Sequence, residues 1–221
     1  MHYLGLALYA EGPTDYSFLC PLLERLCEDL CTDEAVQPVE ISAVLPLNHP
    51  ALLNDAPREE RILAAAKEAR GAWGVLFVHA DGAGNPARAR DQQIQPAIDG
   101  LRSVLAQEGE GVAVIPVRET EAWALVDGDA LRRVFGTTLL DGALGLPQSA
   151  NAVETASDPK ASLTSAFSAT NPTERRRKQG VAPLLNALGE EVSLSRLRRL
   201  AAFASLESEL RLALRQLRIL P

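Results

Sequence analysis

Hydrophobic and polar positions along this chain follow two alternating rhythms. Residues 3–9 are a continuous apolar run that stops at Glu11-Gly12-Pro13, the pattern of a strand buried on both faces and ended by a turn. Thr14 is placed to cap the next helix, Asp15 falls in its first turn, and Leu19, Leu22, Leu23, Leu26 and Leu30 recur at helical spacing as far as about Cys31. Residues 39–47 mix β-branched and apolar side chains and stop at Asn48-His49-Pro50. Residues 58–70 then carry Ile62, Leu63, Ala66 and Ala69 on one helical stripe, giving a second strand and helix. A third apolar run, residues 74–78, is closed by His79-Ala80-Asp81-Gly82-Ala83-Gly84, and Ile94, Ile98, Leu101 and Leu105 mark a third amphipathic helix. Residues 111–117 form a fourth strand leading into Arg118-Glu119-Thr120-Glu121-Ala122-Trp123.

Strands that alternate with helices through short links imply right-handed βαβ crossovers, so the expected fold is α/β with a parallel sheet. Residues 1–140 hold this pattern. Residues 141–172 are rich in Gly, Ala, Ser, Asn and Thr without periodicity and read as a long loop or insertion. Beyond them, residues 183–188 and 194–217 read as helices packing on or beside the first part.

Composition narrows the function classes. With 221 residues, 47% hydrophobic and 23% charged, the chain is neither a disordered polyelectrolyte nor a fibrous repeat. Its longest apolar runs fall far short of the roughly 18 residues that span a bilayer. The N-terminus, MHYLGLALYAEG, has no basic region before its apolar run, so a cytoplasmic location is expected. Cys20, Cys27 and Cys31 share one face of one predicted helix, with no histidine near them in sequence; they read as small core residues in a reducing compartment rather than as a disulfide framework or a zinc site. Trp73 and Trp123 read as core residues more readily than as base-stacking platforms.

The net charge of −7 is unevenly spread. From Pro172 onward ten basic residues face five acidic ones, and the rest of the chain sums to −12. This asymmetry points either to two surfaces with different tasks or to ordinary solvated helix faces. Within the basic part, Arg175-Arg176-Arg177-Lys178, in a loop or helix start, is the best candidate for tracking phosphates.

Ligands bind beyond the carboxyl ends of the strands of an open parallel sheet, and this chain puts acids at three such ends: Glu11 after strand one, Asp81 after strand three, and Glu119 with Glu121 after strand four. Asp15 follows Glu11 by one helical turn; it either caps the helix or joins the cluster. Converging carboxylates suit a hard cation such as Mg²⁺, which bridges to phosphate. Arg118 and Lys160 supply positive charge opposite a phosphate, or serve as an ion-pair partner and a loop lysine.

Glu11-Gly12-Pro13-Thr14-Asp15 after one hydrophobic strand and His79-Ala80-Asp81-Gly82 after another resemble the Toprim domain shared by topoisomerases, bacterial primases, OLD-type nucleases and small RNA-maturing nucleases. The likeness spans residues 3–135. It is greatest to bacterial Toprim-like proteins with an Arg-Glu-x-Glu-Ala-Trp element, here residues 118–123, and a later Asp-Pro-Lys, here Asp158-Pro159-Lys160. The resemblance implies a parallel four-stranded sheet flanked by helices, with a C-terminal helical extension. It also implies a nuclease that hydrolyses phosphodiesters in DNA or RNA with Mg²⁺ or Mn²⁺, in defence against foreign nucleic acid beside an ATPase partner. Glu11, Asp81 and Glu121 would be its catalytic residues, and Glu11, Asp15, His79, Asp81, Glu119 and Glu121 its metal shell. Where the family has an Asp-x-Asp pair, this chain has His79 and Asp81. Imidazole suits Mn²⁺ or other transition ions better than Mg²⁺, so the exchange shifts the metal, transfers the charge to Glu119 or Glu121, or leaves a non-catalytic module that binds nucleic acid or a partner protein. His79 equally fits a hydrogen-bonded strand-end histidine. No glycine-lysine phosphate loop of the Walker type is present, which argues against an NTPase motor.

Overall fold

The computed structural model describes residues 2–105 and 108–221. The chain runs β1 (His2–Tyr9), α1 (Pro13–Glu34), β2 (Val39–Pro46), α2 (Arg58–Glu68) and β3 (Val75–His79). The third helical segment is a composite of α3 (Pro86–Ala89), a wider π turn (Arg90–Ile94) and α4 (Gln95–Val104). Then follow β4 (Glu110–Val114), α5 (Glu121–Ala124), α6 (Gly128–Phe135), α7 (Ala150–Glu154), α8 (Pro159–Ala169), α9 (Glu174–Gln179), α10 (Leu185–Glu191), α11 (Leu194–Leu197) and α12 (Ala201–Gln216). Among the described residues no helix is long and apolar enough to cross a membrane.

The architecture is α/β: a four-stranded, all-parallel sheet in the order β2-β1-β3-β4, flanked by helices and followed by a helical C-terminal region. The continuous apolar runs follow from burial on both faces. Leu4, Leu6, Leu8, Val75, Phe77, Val112 and Val114 pack toward α1 and the C-terminal helices, whereas Ala7, Tyr9, Leu76, Val78 and Ala113 pack toward α2 and α4. Because successive strand residues point to opposite faces, one run fills both cores. The strand order reverses direction between β1 and β3, and that switch point opens a crevice at their carboxyl ends.

Two expectations are corrected. Residues 141–172 are not one long loop, since they contain α7 and α8. Helix α8 starts on an Asp158 cap, whose Oδ1 accepts from Ala161 N at 2.7 Å, with Pro159 at its first position. Its hydroxyl residues bond back to carbonyls one turn earlier: Ser162 to Asp158, Thr164 to Lys160 and Ser168 to Thr164. A helix rich in such residues shows little apolar periodicity. The fourth strand ends at Val114 rather than at residue 117, because Pro116 has no N–H to continue a ladder.

Part of the charge asymmetry is compensated within the molecule. Arg196 pairs with Asp127 (2.9 Å) and Asp129, Arg198 with Asp29 and Glu207, and Arg211 with Glu34 (2.7 Å) and Glu207 (2.6 Å). The positive C-terminal helices are thus fastened to negative partners, several of them in the first part of the chain. The cysteines behave as core residues: Cys27 is fully buried, and burial pushes the Cys20 and Cys31 thiols up to about 11. Both tryptophans are buried, Trp73 donating to Ala66 O and Trp123 meeting Phe203 edge-on, so neither offers a stacking face.

Candidate functional site

Three loops build the site at the switch point. The first is the β1–α1 turn, where Gly12 rather than Thr14 is the cap residue and Gly12 N donates to Asp15 Oδ2 at 3.0 Å, so Asp15 closes the start of α1 and is fixed in place. The second and third are the segments after β3 and β4, which stay side by side once the sheet has ended. Ala80 N, Gly82 N and Gly84 N donate to Val114 O, Pro116 O and Val117 O, and Ala83 N donates to Arg118 O. This approach requires glycine at position 82, where a Cβ would stand 2.3 Å from Pro116 O and 2.5 Å from Val117 O. Asp81 and Glu119 are carried on these joined segments, and both line the cleft.

The result is a cleft of about 230 Å³ lined by Glu11, Gly12, Thr14, Asp15, Asp81, Glu119, Glu121 and Lys160. Five predicted acids and one predicted base from widely separated stretches meet in it. Glu119 Oε2 accepts from the backbone N–H of Lys160 at 3.3 Å, so the capped start of α8 carries the Asp158-Pro159-Lys160 stretch to the cleft wall. Burial, aided by the neighbouring Glu119 and Asp15 charges and opposed by Lys160, raises the Glu121 pKa above the usual carboxylate range. Asp81 Oδ1 is buried and has no hydrogen-bond partner among the described residues.

His79 lies under the cleft rather than on its wall. Its ring is fully buried; Nε2 is 3.0 Å from Thr120 Oγ1 and 3.4 Å from Asp81 Oδ1, and Nδ1 is 3.9 Å from Asp15 Oδ2. Thr120 in turn donates to Asp15 Oδ1 at 3.2 Å. The histidine therefore reaches Asp15 only through Thr120, and it lies beneath Asp81 without a hydrogen bond to it, its Nδ1 having no partner among the described residues.

The remaining predicted residues lie apart from the cleft. The Arg118 guanidinium rests against Gly84, where a Cβ would stand 3.7 Å from it. The basic run Arg175-Arg176-Arg177-Lys178 forms most of α9, and its four charges are not equally available. Arg176 lies over the Phe167 ring and donates to Phe135 O, Arg177 donates to Asn171 Oδ1 and Pro172 O, and Lys178 pairs with Glu174 one turn away. Gln179, at the end of α9, lines a cavity of about 210 Å³ that shares Thr14, Glu121 and Lys160 with the acidic cleft.

Sequence reasoning missed Thr120 and the start of α2. Arg58 pairs with Glu11 at 3.3 Å, donates to His79 O and lies over the Tyr9 ring at 5.7 Å. Nothing local distinguishes Arg58 from a solvated helix residue; only the strand order, with α2 packed behind β1, brings it to Glu11.

The donor types in the cleft are those that a hard divalent cation takes. Carboxylate oxygens predominate, one of them, Asp81 Oδ1, is buried without a hydrogen bond, and the cleft faces the switch point. Among the described residues, no group of three or more His, Cys, Asp or Glu side chains is placed to hold a metal ion. The chain matches no family profile, no curated protein and no solved structure.

Proposed function

We propose that the protein is a Toprim-like, divalent-metal-dependent phosphodiesterase acting on nucleic acid, and that the acidic cleft is its active site. The observation carrying this reading is that Glu11, Asp15, Asp81, Glu119 and Glu121, predicted from distant stretches, line one cleft with Lys160. Glu11, Asp81 and Glu119 would hold Mg²⁺ or Mn²⁺, with Asp15 behind them; clustered carboxylates repel each other until a cation offsets their charge. The bound ion would stabilise charge on the phosphate oxygens and acidify an attacking water.

The chain's own groups supply the rest. Lys160 sits opposite the acids and attracts the phosphate. Glu121, whose carboxyl holds its proton to higher pH than a free glutamate, is suited to exchange a proton with the attacking water or the leaving oxygen. His79, bonded to Thr120, which in turn bonds Asp15, supports Asp15 from below.

The test is cleavage of plasmid DNA and of RNA by purified protein with Mg²⁺ or Mn²⁺. Glu11→Ala and Asp81→Ala should each lower the rate at least about a hundredfold while circular dichroism stays unchanged. Equal rates in both variants and the parent contradict the assignment. The burial of His79, where the family carries a metal-binding aspartate, favours a second reading, a module that binds nucleic acid without cutting it. That reading predicts affinity with no cleavage under any metal.

A further inference from the structure

On the side of Glu11 away from Lys160, a second concavity of about 440 Å³ opens between the β1–α1 turn, the end of β2 and the first turn of α2. Glu11 and Gly12 line both it and the acidic cleft, so the two share a wall. Its other functional side chains are Arg58, Arg61, Tyr9 and His49. Arg58 is committed to Glu11 and His79 O. Arg61 is not: its Nε, like that of Arg58, is buried without a partner, and none of its nitrogens makes a hydrogen bond or ion pair among the described residues. The His49 ring is held on both nitrogens, Nδ1 by Tyr9 Oη at 2.8 Å and Nε2 by Asn54 Oδ1 at 3.1 Å. A planar cation with unused donors lining a concavity beside a fixed imidazole is the chemistry that recognises a phosphate attached to a ring.

We infer that this groove seats the nucleotide next to the scissile phosphate, with Arg61 binding its phosphate and the Arg58–Glu11 pair forming the partition between the groove and the acidic cleft. The proposal rests on the phosphodiesterase reading for its choice of a strand over a free nucleotide, because the shared wall lets one chain of phosphates run from the groove into the cleft. A concavity of this volume matches a single nucleotide unit, so the strand enters unpaired.

The experiment measures binding of a labelled single-stranded DNA oligonucleotide in chelator, where no cleavage occurs, by fluorescence anisotropy across a salt series. Arg61→Gln should weaken binding about tenfold and flatten the slope of log K against log salt by about 0.7, the value of one lost phosphate contact on a single strand. Arg61→Lys, which restores the charge but not the fork, should recover the slope and only part of the affinity. If Arg61→Gln binds like the parent, the groove proposal falls, while metal-dependent cleavage by the parent keeps the cleft reading. If Arg61→Gln weakens binding and no metal supports cleavage, the groove stands and hydrolysis falls. A mononucleotide that binds the parent as tightly as the oligonucleotide, and loses affinity equally in Arg61→Gln, overturns the strand assignment. A parent protein that binds no oligonucleotide overturns it as well.

Discussion

His79 Nε2 sits 3.4 Å from Asp81 Oδ1, across the last turn of chain between β3 and its loop, with the imidazole fully buried and the carboxylate at the edge of the cleft. Thr120, on the neighbouring loop, bonds to both His79 and Asp15, so one buried ring ties the ends of β1, β3 and β4 together. Replacing that ring by aspartate would put a carboxylate in a fully buried position beside Asp15 and Asp81.

His79→Asp should therefore destabilise the metal-free protein by about 3 kcal/mol, measured by urea denaturation in chelator. Stability equal to that of the parent contradicts the role of His79 as a buried brace.

Gly82 supports the cleft by allowing two loops to touch. A Cβ there would meet Pro116 O at 2.3 Å, and backbone cannot yield as a flexible side chain does. Gly82→Ala should cost about 2 kcal/mol and reduce any metal-dependent activity by parting Asp81 from Glu119. Unchanged stability and activity would show that the loops tolerate separation.

Glu121 is raised above its ordinary value of 4.5 chiefly by burial. The folded state thus holds the proton more tightly than the unfolded chain, and charging Glu121 costs stability as pH climbs above the ordinary value. Glu121→Gln removes that cost. In chelator the variant should match the parent near pH 4 and exceed it at pH 7, read as the difference between two urea-denaturation series. A gain equal at both pH values contradicts the burial argument.

Glu207, almost fully buried on α12, accepts from Arg198 at 2.8 Å and pairs with Arg211 at 2.6 Å, and those arginines reach Asp29 and Glu34 on α1. Glu207→Ala leaves two arginines without their shared anion and should cost about 2 kcal/mol, less than a fully buried pair because both arginines are partly solvated. Thermal unfolding measures this. No loss would mean that the C-terminal helices are held by apolar packing alone.

Much of this arrangement was legible in the chain, and the rest was hidden for identifiable reasons. The run of residues 3–9 ended by Glu11-Gly12-Pro13 announces a buried strand and the acid beyond it, because burial on both faces admits no polar position. Asp81, Glu119 and Glu121 were found by the same logic. Helix α8 was hidden because its serines and threonines satisfy themselves along the helix instead of marking a face. Arg58, Arg61 and Thr120 were hidden because their importance depends on strand order, which no local pattern encodes. The basic run at residues 175–178 stands out in sequence, yet packing turns Arg176 toward Phe167 and Phe135.

The most direct test of the whole account is calorimetric titration of Mn²⁺ into the parent protein and into Asp81→Asn and Glu11→Gln, each checked for an unchanged fold. The account predicts saturable binding to the parent, with release of protons, and affinity at least about tenfold lower in each variant. Absence of binding to the parent, or equal affinity in all three proteins, would contradict it.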